Sequence, residues 1–136
     1  LKYNTTKPIT MSKHIRLFIL PSICLAALLL AACGGKFSSP ESTTKGFFSA
    51  LVKKDFEAAF EHMHPEIQAE PGAKGKLIGM MQARSKQDAV VDFKIIRSEI
   101  DGDEASVRVS VELESGRTDR DSADLEKYEG KWYLTM

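Results

Sequence analysis

The side chains with the most obvious chemical potential lie in one short stretch, Glu61–Glu66 (EHMHPE). Its imidazoles, His62 and His64, and its carboxylates are ligands that suit a divalent metal such as zinc. Two histidines two positions apart on a helix point in different directions, so the spacing does not predict a preformed metal site. No nucleophile with a base and no pair of carboxylates stands out, so the sequence predicts neither catalysis nor a bound cofactor. Both histidines are expected at the surface, where a helix ends. The same is expected of three aspartates in a polar segment further along, Asp119, Asp121 and Asp124.

Cysteine is the other reactive side chain, and Cys33 closes a segment with a distinctive layout. Met11 is followed by a short cationic stretch, and an apolar run then extends from Leu17 to Ala32. This order, with small residues before a cleavage point, is typical of a secretory targeting segment. A membrane-spanning helix is the alternative, but it needs about 20 apolar residues, and this run is shorter and contains Pro21. We therefore expect residues 11–32 to be a removable leader, and residues 1–10 to be an upstream extension.

The four residues Leu30-Ala31-Ala32-Cys33 resemble the lipobox of bacterial lipoproteins. The resemblance implies that the sulfur of Cys33 receives a diacylglyceryl group and that the chain is cut just before it. The membrane is then a partner through the lipid, and the cell envelope is the location. In such lipoproteins, an aspartate directly after the cysteine favours retention in the inner membrane. Here that residue is Gly34, so the resemblance implies that the protein is located in the outer membrane. Cys24 leaves with the leader, so an acylated Cys33 leaves no thiol for a disulfide, for catalysis or for a metal.

The chain that remains after such a cut is mildly acidic. Removing residues 1–32 takes away four of the 19 basic residues and none of the 19 acidic ones, so the formal charge falls from 0 to −4. Nucleic-acid binding requires clustered lysine and arginine, so nucleic acid is not an expected partner. The glycines and serines near its start predict a flexible tether over residues 33–39. Residues 40–136 are then expected to form a single domain.

The first half of this domain predicts helices. Ser39-Pro40-Glu41 combines a good N-cap, a proline suited to the first helical position and a carboxylate in the first turn. Asp55 is expected to be the N-cap of a second helix, and Pro65 is expected to end that helix. A third helix around Leu77–Met81 is weakened by two glycines.

The second half predicts strands, because apolar and polar residues alternate from Val90 onward. The alternation shifts phase after Ile95, which indicates a β-bulge. Three tight turns join four strands into an antiparallel meander with one dry face: Asp101-Gly102, Ser115-Gly116 and Glu129-Gly130. Helices followed by such a sheet predict an α+β fold, in which the helices pack on the apolar face of a curved antiparallel sheet.

Residues 40–136 resemble the nuclear-transport-factor-2-like (cystatin-like) superfamily, and within it a group of small exported lipoproteins without an assigned function. The resemblance rests on the Pro40-Glu41 helix with its Phe47-Phe48 pair, the Lys54-Asp55-Phe56 join followed by Ala58-Ala59, and the closing Gly130-Lys131-Trp132-Tyr133-Leu134 strand. It implies a sheet bent around the helices into a cone whose open end holds the ligand in binding members. The candidate cavity-lining residues are Phe48, Phe60, Met80, Met81, Val109 and Trp132. Because a domain this small needs its apolar residues for stability, complete or near-complete filling of the cone is favoured.

Two hypotheses about function follow. In the first, the protein is a non-catalytic, membrane-anchored binding module that holds a small apolar ligand in the cone or an envelope protein on the sheet. In the second, it is a structural component of the envelope that acts through self-association, for instance as a homodimer. An enzyme is a distant third, which a buried Asp, His or Tyr facing a hollow cone would favour. A cavity well below about 300 Å³ would remove the small-ligand hypothesis.

Overall fold

The computed structural model describes residues 34–136. Four helices come first: α1 (Pro40–Val52), α2 (Phe56–Phe60), α3 (Pro65–Ala69) and α4 (Ala73–Gln87). Four strands follow: β1 (Val90–Asp101), β2 (Glu104–Leu113), β3 (Thr118–Tyr128) and β4 (Lys131–Leu134). The strands form one antiparallel sheet in the order β1-β2-β3-β4. The predicted α+β layout is therefore confirmed. In the part of the chain that the structure describes, no helix has the length and apolar character needed to cross a membrane.

Short polar side chains start the first two helices, as predicted. At α1 the Ser39 hydroxyl accepts the backbone N–H of Ser42 at 3.1 Å, and the Ser42 hydroxyl accepts the N–H of Ser39 at 3.0 Å. At α2 the carboxylate of Asp55 accepts the N–H of Ala58 at 3.1 Å. These bonds satisfy donors that have no partner within the helix, which fixes where each helix begins.

Pro65 has a different role from the predicted one. Helix α2 already ends at Phe60, and Pro65 is the first residue of α3. His64 caps α3, since its Nδ1 accepts the N–H of Glu66 at 3.3 Å. A proline fits the first turn of a helix, where its missing N–H is not needed, so it starts a helix here instead of ending one.

The predicted bulge in β1 is confirmed by the strand register. Ile95 pairs with Val109 and Arg97 with Arg108, so Ile96 is the extra residue, and it is 53% exposed. A second register shift lies between Val90 and Asp92. Because β1 is an edge strand, these two bulges interrupt a row of backbone groups that another strand could otherwise pair with.

The core lies between the helices and the inner face of the sheet. Val107 and Val109 of β2 are fully buried and cluster with Phe48 of α1, Phe60 of α2 and Trp132 of β4. The outer face is polar: the hydroxyls of Ser106 and Ser122 are 3.0 Å apart, and their neighbours on this face are mostly charged. The sheet therefore has one dry and one solvated face.

The segment predicted as a flexible tether is partly docked on the domain. The carbonyl of Phe37 accepts the backbone N–H of Trp132 at 3.0 Å, and the Phe37 ring lies 5.0 Å from the ring of Tyr133. Lys36 forms an ion pair with Glu61 at 3.0 Å. The glycines and serines of this segment predicted flexibility. Partial burial of the Phe37 ring instead holds this part of the chain against the domain. Docking of the chain thus begins at Lys36.

Two adjacent buried threonines of α1 give a matched test of how the helix is held. The Thr43 hydroxyl donates to the Trp132 carbonyl at 3.0 Å, whereas the equally buried Thr44 hydroxyl has no partner. We expect Thr43→Val to lower the free energy of unfolding by about 1–2 kcal/mol, because it leaves a buried carbonyl without its donor. Thr44→Val should be neutral or stabilising, because it removes an unpaired hydroxyl. Urea unfolding measures both values, and equal losses in the two variants would contradict this account.

Candidate functional site

A cavity of about 350 Å³ opens between the helices and the inner face of the sheet, near the turn from β2 to β3. Its walls are apolar: Phe47, Phe48, Leu51, Phe56, Met81, Val90, Val111 and Leu113. Its rim is polar: Arg84, Ser85, Asp88, Asp119, Arg120 and Asp121. Small-molecule sites typically have volumes of about 300–1,000 Å³ and this mixture of apolar walls and few polar groups.

This cavity corrects the expectation that side chains fill the cone. Phe47, Leu51 and Met81 are only half-buried, so they line the open space instead of filling it. The strand register gives a second reason why side chains do not fill this space. Asp119 pairs with Val111 and Asp121 with Val109, so two aspartates occupy inner-face positions that would otherwise carry apolar side chains.

Of the three aspartates expected at the surface, Asp121 and Asp124 are exposed as predicted, whereas Asp119 is not. Asp119 is half-buried, and Asp121 is solvent-exposed because its inner-face position lies at the open mouth of the cavity. Asp124 is exposed and pairs with Ser106 on the outer face. Its position differs from those of the other two by an odd number, 3 or 5, which places it on the opposite side of the sheet.

Helices α1 and α4 position most of the cavity wall. Phe47 and Leu51 are four residues apart and therefore share a face of α1. The Phe48 ring lies 5.3 Å from Phe47 in an edge-to-face arrangement and 5.6 Å from Phe93 of β1, which ties the aromatic wall to the sheet. Met81 of α4 completes this side of the cavity.

The rim carboxylates differ in their partners. Asp88, which ends α4, accepts the hydroxyl of Ser115 at 2.7 Å and its backbone N–H at 2.9 Å, and these bonds hold the pKa of Asp88 below its ordinary value. Asp119 pairs with Arg117 at 3.0 Å. Asp121 accepts the N–H of the neighbouring Ser122 at 2.9 Å. Asp88 thus links the end of α4 to the β2–β3 turn through hydrogen bonds that its ionised carboxylate accepts.

The residues predicted to line the cavity occupy three environments. Phe48 and Met81 lie in the cavity wall. Phe60, Val109 and Trp132 belong to the buried core. Met80 is 59% exposed on α4. Sequence reasoning missed Phe47, Leu51 and Phe56, although the spacing of the first two was visible, because it did not show which end of the sheet opens.

The two histidines are buried, with exposures of 1% for His62 and 5% for His64, and not at the surface as expected. Nδ1 of His62 lies 2.8 Å from the Ala58 carbonyl, to which it donates, and Nε2 is buried without a partner. The ring fits beside α1 only because residue 46 is glycine: an added Cβ there would lie 3.0 Å from His62 Cδ2 and 3.1 Å from Cε1, and closer still to Nε2. A glycine inside an amphipathic helix was the sequence signal for this close approach.

Each histidine therefore has a structural role. Nδ1 of His64 accepts the N–H that starts α3, and its ring lies 5.1 Å from that of Tyr128. Within residues 34–136, no group of three or more His, Cys, Asp or Glu side chains is arranged to hold a metal ion.

Burial of His62 makes stability depend on pH. Burial lowers the pKa of His62 below its ordinary value of 6.5, and the bond to Ala58 only partly opposes this. The unfolded chain therefore binds a proton at a higher pH than the folded protein does. We expect the free energy of unfolding to fall as the pH drops below about 6.5, by at most about 1.4 kcal/mol per pH unit, down to the folded-state pKa.

Chemical denaturation between pH 5 and 8 tests this expectation. His62→Gln removes the titrating group and should flatten the pH dependence in this range. An unchanged slope in that variant would contradict the assignment.

A second, shallower depression of about 570 Å³ lies at the opposite end of the sheet, by the β1–β2 turn. Its lining is acidic, with Glu99, Asp101, Glu104, Asp124 and Glu126 around a floor of Ala105 and Leu125. The first cavity has the deeper apolar wall and is the better candidate for a ligand site.

Solved structures share this fold. A Campylobacter jejuni protein proposed to be an NTF2-like transpeptidase is 21% identical, with a TM-score of 0.57 over 73% of this chain and 99% of that chain. A SEC-C motif containing protein from Rhodopseudomonas palustris is 18% identical, with a TM-score of 0.59 over 85% of this chain and 88% of that chain. A de novo designed protein with a curved β-sheet is 19% identical, with a TM-score of 0.51 over 71% of this chain and 93% of that chain. At these identities the likeness establishes the fold alone, and it confirms the nuclear-transport-factor-2-like architecture.

A sequence-family model described as a domain of unknown function (DUF4878) matches residues 31–135. No curated protein matches the chain in sequence.

Proposed function

We propose, from the premise that the chain belongs to the DUF4878 family and has a nuclear-transport-factor-2-like fold, that the protein is a lipid-anchored, non-catalytic binding module of the bacterial envelope. Its domain binds a small, largely apolar ligand in the cavity between α1, α4 and the sheet. The observation that carries the proposal is the open cavity of about 350 Å³ with three phenylalanines, two leucines and a methionine in its wall. Apolar surface left open in a small domain lowers its stability, which supports a role in binding.

The lipid anchor is supported by the sequence before the domain. The family match begins at residue 31, within two residues of Cys33, where the mature chain would begin. Docking on the domain begins at Lys36, so only Gly34 and Gly35 separate it from the acylated residue. Three residue steps span at most about 10 Å, so the lipid would hold the domain close to the membrane surface, which we propose is the outer membrane.

A small ligand is favoured over a protein partner or a second copy of the chain. The outer face of the sheet consists mainly of serines and charged residues, whereas stable interfaces have an apolar centre. The edge strand β1 carries two bulges, which oppose pairing with another strand. Three apolar side chains of β1 are exposed, Val91, Ile96 and Ile100, but charged residues separate them along the strand.

We propose binding without catalysis because two of the three rim carboxylates hold other side chains in place. Asp88 holds the β2–β3 turn and Asp119 pairs with Arg117. Both histidines lie in packed or capping positions, away from the cavity lining. Asp88 accepts the Ser115 hydroxyl, but Ser115 is not among the lining residues of the cavity.

Titration with a neutral fluorescent probe, N-phenyl-1-naphthylamine, tests the binding site. Ser85→Trp places a large ring at the rim and should weaken probe binding at least about tenfold, because it occupies the mouth. Gln82→Trp is the matched control, since residue 82 is exposed on the same helix and is not among the lining residues. Equal binding by both variants, or no binding by the unchanged protein, would overturn the proposal.

A further inference from the structure

The walls of the cavity account for an apolar ligand but leave its polar end unspecified. The rim carries charges of both signs, and their partners decide which charge a ligand would meet. Because this question concerns the occupant of the same cavity, the inference below rests on the proposed function.

The rim has more uncompensated negative than positive charge. Asp119 is neutralised by Arg117 at 3.0 Å. Asp88 and Asp121 receive hydrogen bonds only from neutral donors of Ser115 and Ser122. The charge of Arg117 also acts on Asp88, but Arg117 forms its ion pair with Asp119. None of the ion pairs among residues 34–136 neutralises either carboxylate.

The rim has fewer positive charges directed to the mouth than negative ones. Arg120 pairs with Ser110, and this register places its side chain on the outer face of the sheet. Arg84 is then the one described rim cation whose helix position directs it to the mouth, against two carboxylates. The mouth has a net negative charge.

The aromatic wall also favours a cationic ligand. Phe47, Phe48 and Phe56 line the cavity, and the faces of aromatic rings attract cations. An ammonium group at the mouth would meet both the ring faces and the carboxylates, while its hydrocarbon part would lie against Leu51 and Met81. A carboxylate or phosphate group would be repelled by the ring faces and by the carboxylates.

We infer that the cavity binds an organic cation: a single ammonium group on an apolar body small enough for about 350 Å³. Asp121 is the residue that sets this preference, since Asp88 also holds the β2–β3 turn. The aromatic wall adds to the selectivity for cations.

A set of three probes with the same ten-carbon chain tests the charge preference: decyltrimethylammonium and decanoate below their micelle concentrations, and decanol below its solubility limit. Isothermal titration of the purified protein should rank their affinities in that order, with the cation bound about tenfold more tightly than the anion. Raising the salt concentration should weaken binding of the cation and leave binding of decanol unchanged.

Variants of the rim identify the residue responsible. Asp121→Asn should weaken binding of the cation about threefold to fivefold and leave decanol unaffected. Asp124→Asn is the matched control, because it removes the same charge from the outer face of the same strand and should change nothing. Arg84→Gln should strengthen binding of the cation and weaken that of decanoate.

The outcomes separate the two proposals. Failure of all three probes, decanol included, would overturn the binding function itself. Decanol bound as tightly as decyltrimethylammonium, or decanoate bound most tightly, would overturn only the inference about charge. An equal effect of Asp121→Asn and Asp124→Asn would overturn the role of Asp121.

Discussion

Replacing Gly46 with alanine is expected to lower the free energy of unfolding by about 2–3 kcal/mol, although alanine is the better helix former. Intrinsic propensity alone would give a gain of about 1 kcal/mol at a mid-helix glycine. The added methyl group, however, would overlap the buried ring of His62. For a domain of about 100 residues, such a loss corresponds to a fall in melting temperature of roughly 10–20 °C.

The loss is large because neither partner can move away. His62 is 1% exposed and its Nδ1 is held by the Ala58 carbonyl at 2.8 Å. Helix α1 is fixed at its start by the Ser39 cap and further along by the bond from Thr43 to Trp132. Closely packed interiors respond to an added methyl group by straining backbone or rotamers, which costs free energy.

Gly79→Ala is the matched control. Gly79 also lies inside a helix, but a Cβ added there would meet no atom within 4 Å. This variant should gain about 0.5–1 kcal/mol from propensity alone. Thermal and urea unfolding of the two variants measure the difference, and a gain in stability for Gly46→Ala would contradict the packing argument. Combining Gly46→Ala with His62→Ala should cost less than the sum of the single changes, because the overlap disappears.

Local sequence signals predicted much of the fold. Ser39 and Asp55 fixed the starts of α1 and α2 because capping depends on a side chain and a backbone N–H only three residues away. The bulge after Ile95 was visible because strand periodicity is two, so one extra residue shifts every side chain to the other face. Pro65 was misread because a proline both ends and begins helices, and the choice depends on where the preceding helix stops.

The cavity was harder to predict because it depends on how distant elements meet. Asp119 and Asp121 look like surface residues in a polar strand, and only the pairing of β3 with β2 shows that they face inward. Burial of His62 likewise depends on a glycine 16 positions earlier in α1. Spacing within one element assigns a residue to a face, but the packing of elements decides whether that face meets solvent, core or an open cavity.

Loss of the single sulfur of Cys33 is expected to abolish incorporation of fatty acid completely. In the proposed anchor, acyl chains are attached through that sulfur, and two or more chains hold a protein durably at about 0.8 kcal/mol per buried CH₂. Among residues 34–136, no helix is long and apolar enough to cross a membrane. Cys33→Ala should therefore show no labelling by an alkyne fatty acid.

Cys24→Ala is the matched control for this variant, because Cys24 is the only other cysteine and lies within the proposed leader. It should be labelled and should sediment with the envelope as the unchanged protein does, since the leader is removed. Cys33→Ala with its leader removed should instead be recovered in the aqueous fraction with an unchanged melting temperature, because the residue precedes the first docked position, Lys36. Intact mass gives an independent measurement: the unchanged protein should begin at Cys33 and carry the added mass of its acyl groups. A bare thiol at that position, or equal labelling of the two variants, would contradict the anchor, because residues 34–136 contain no second cysteine thiol to hold the lipid.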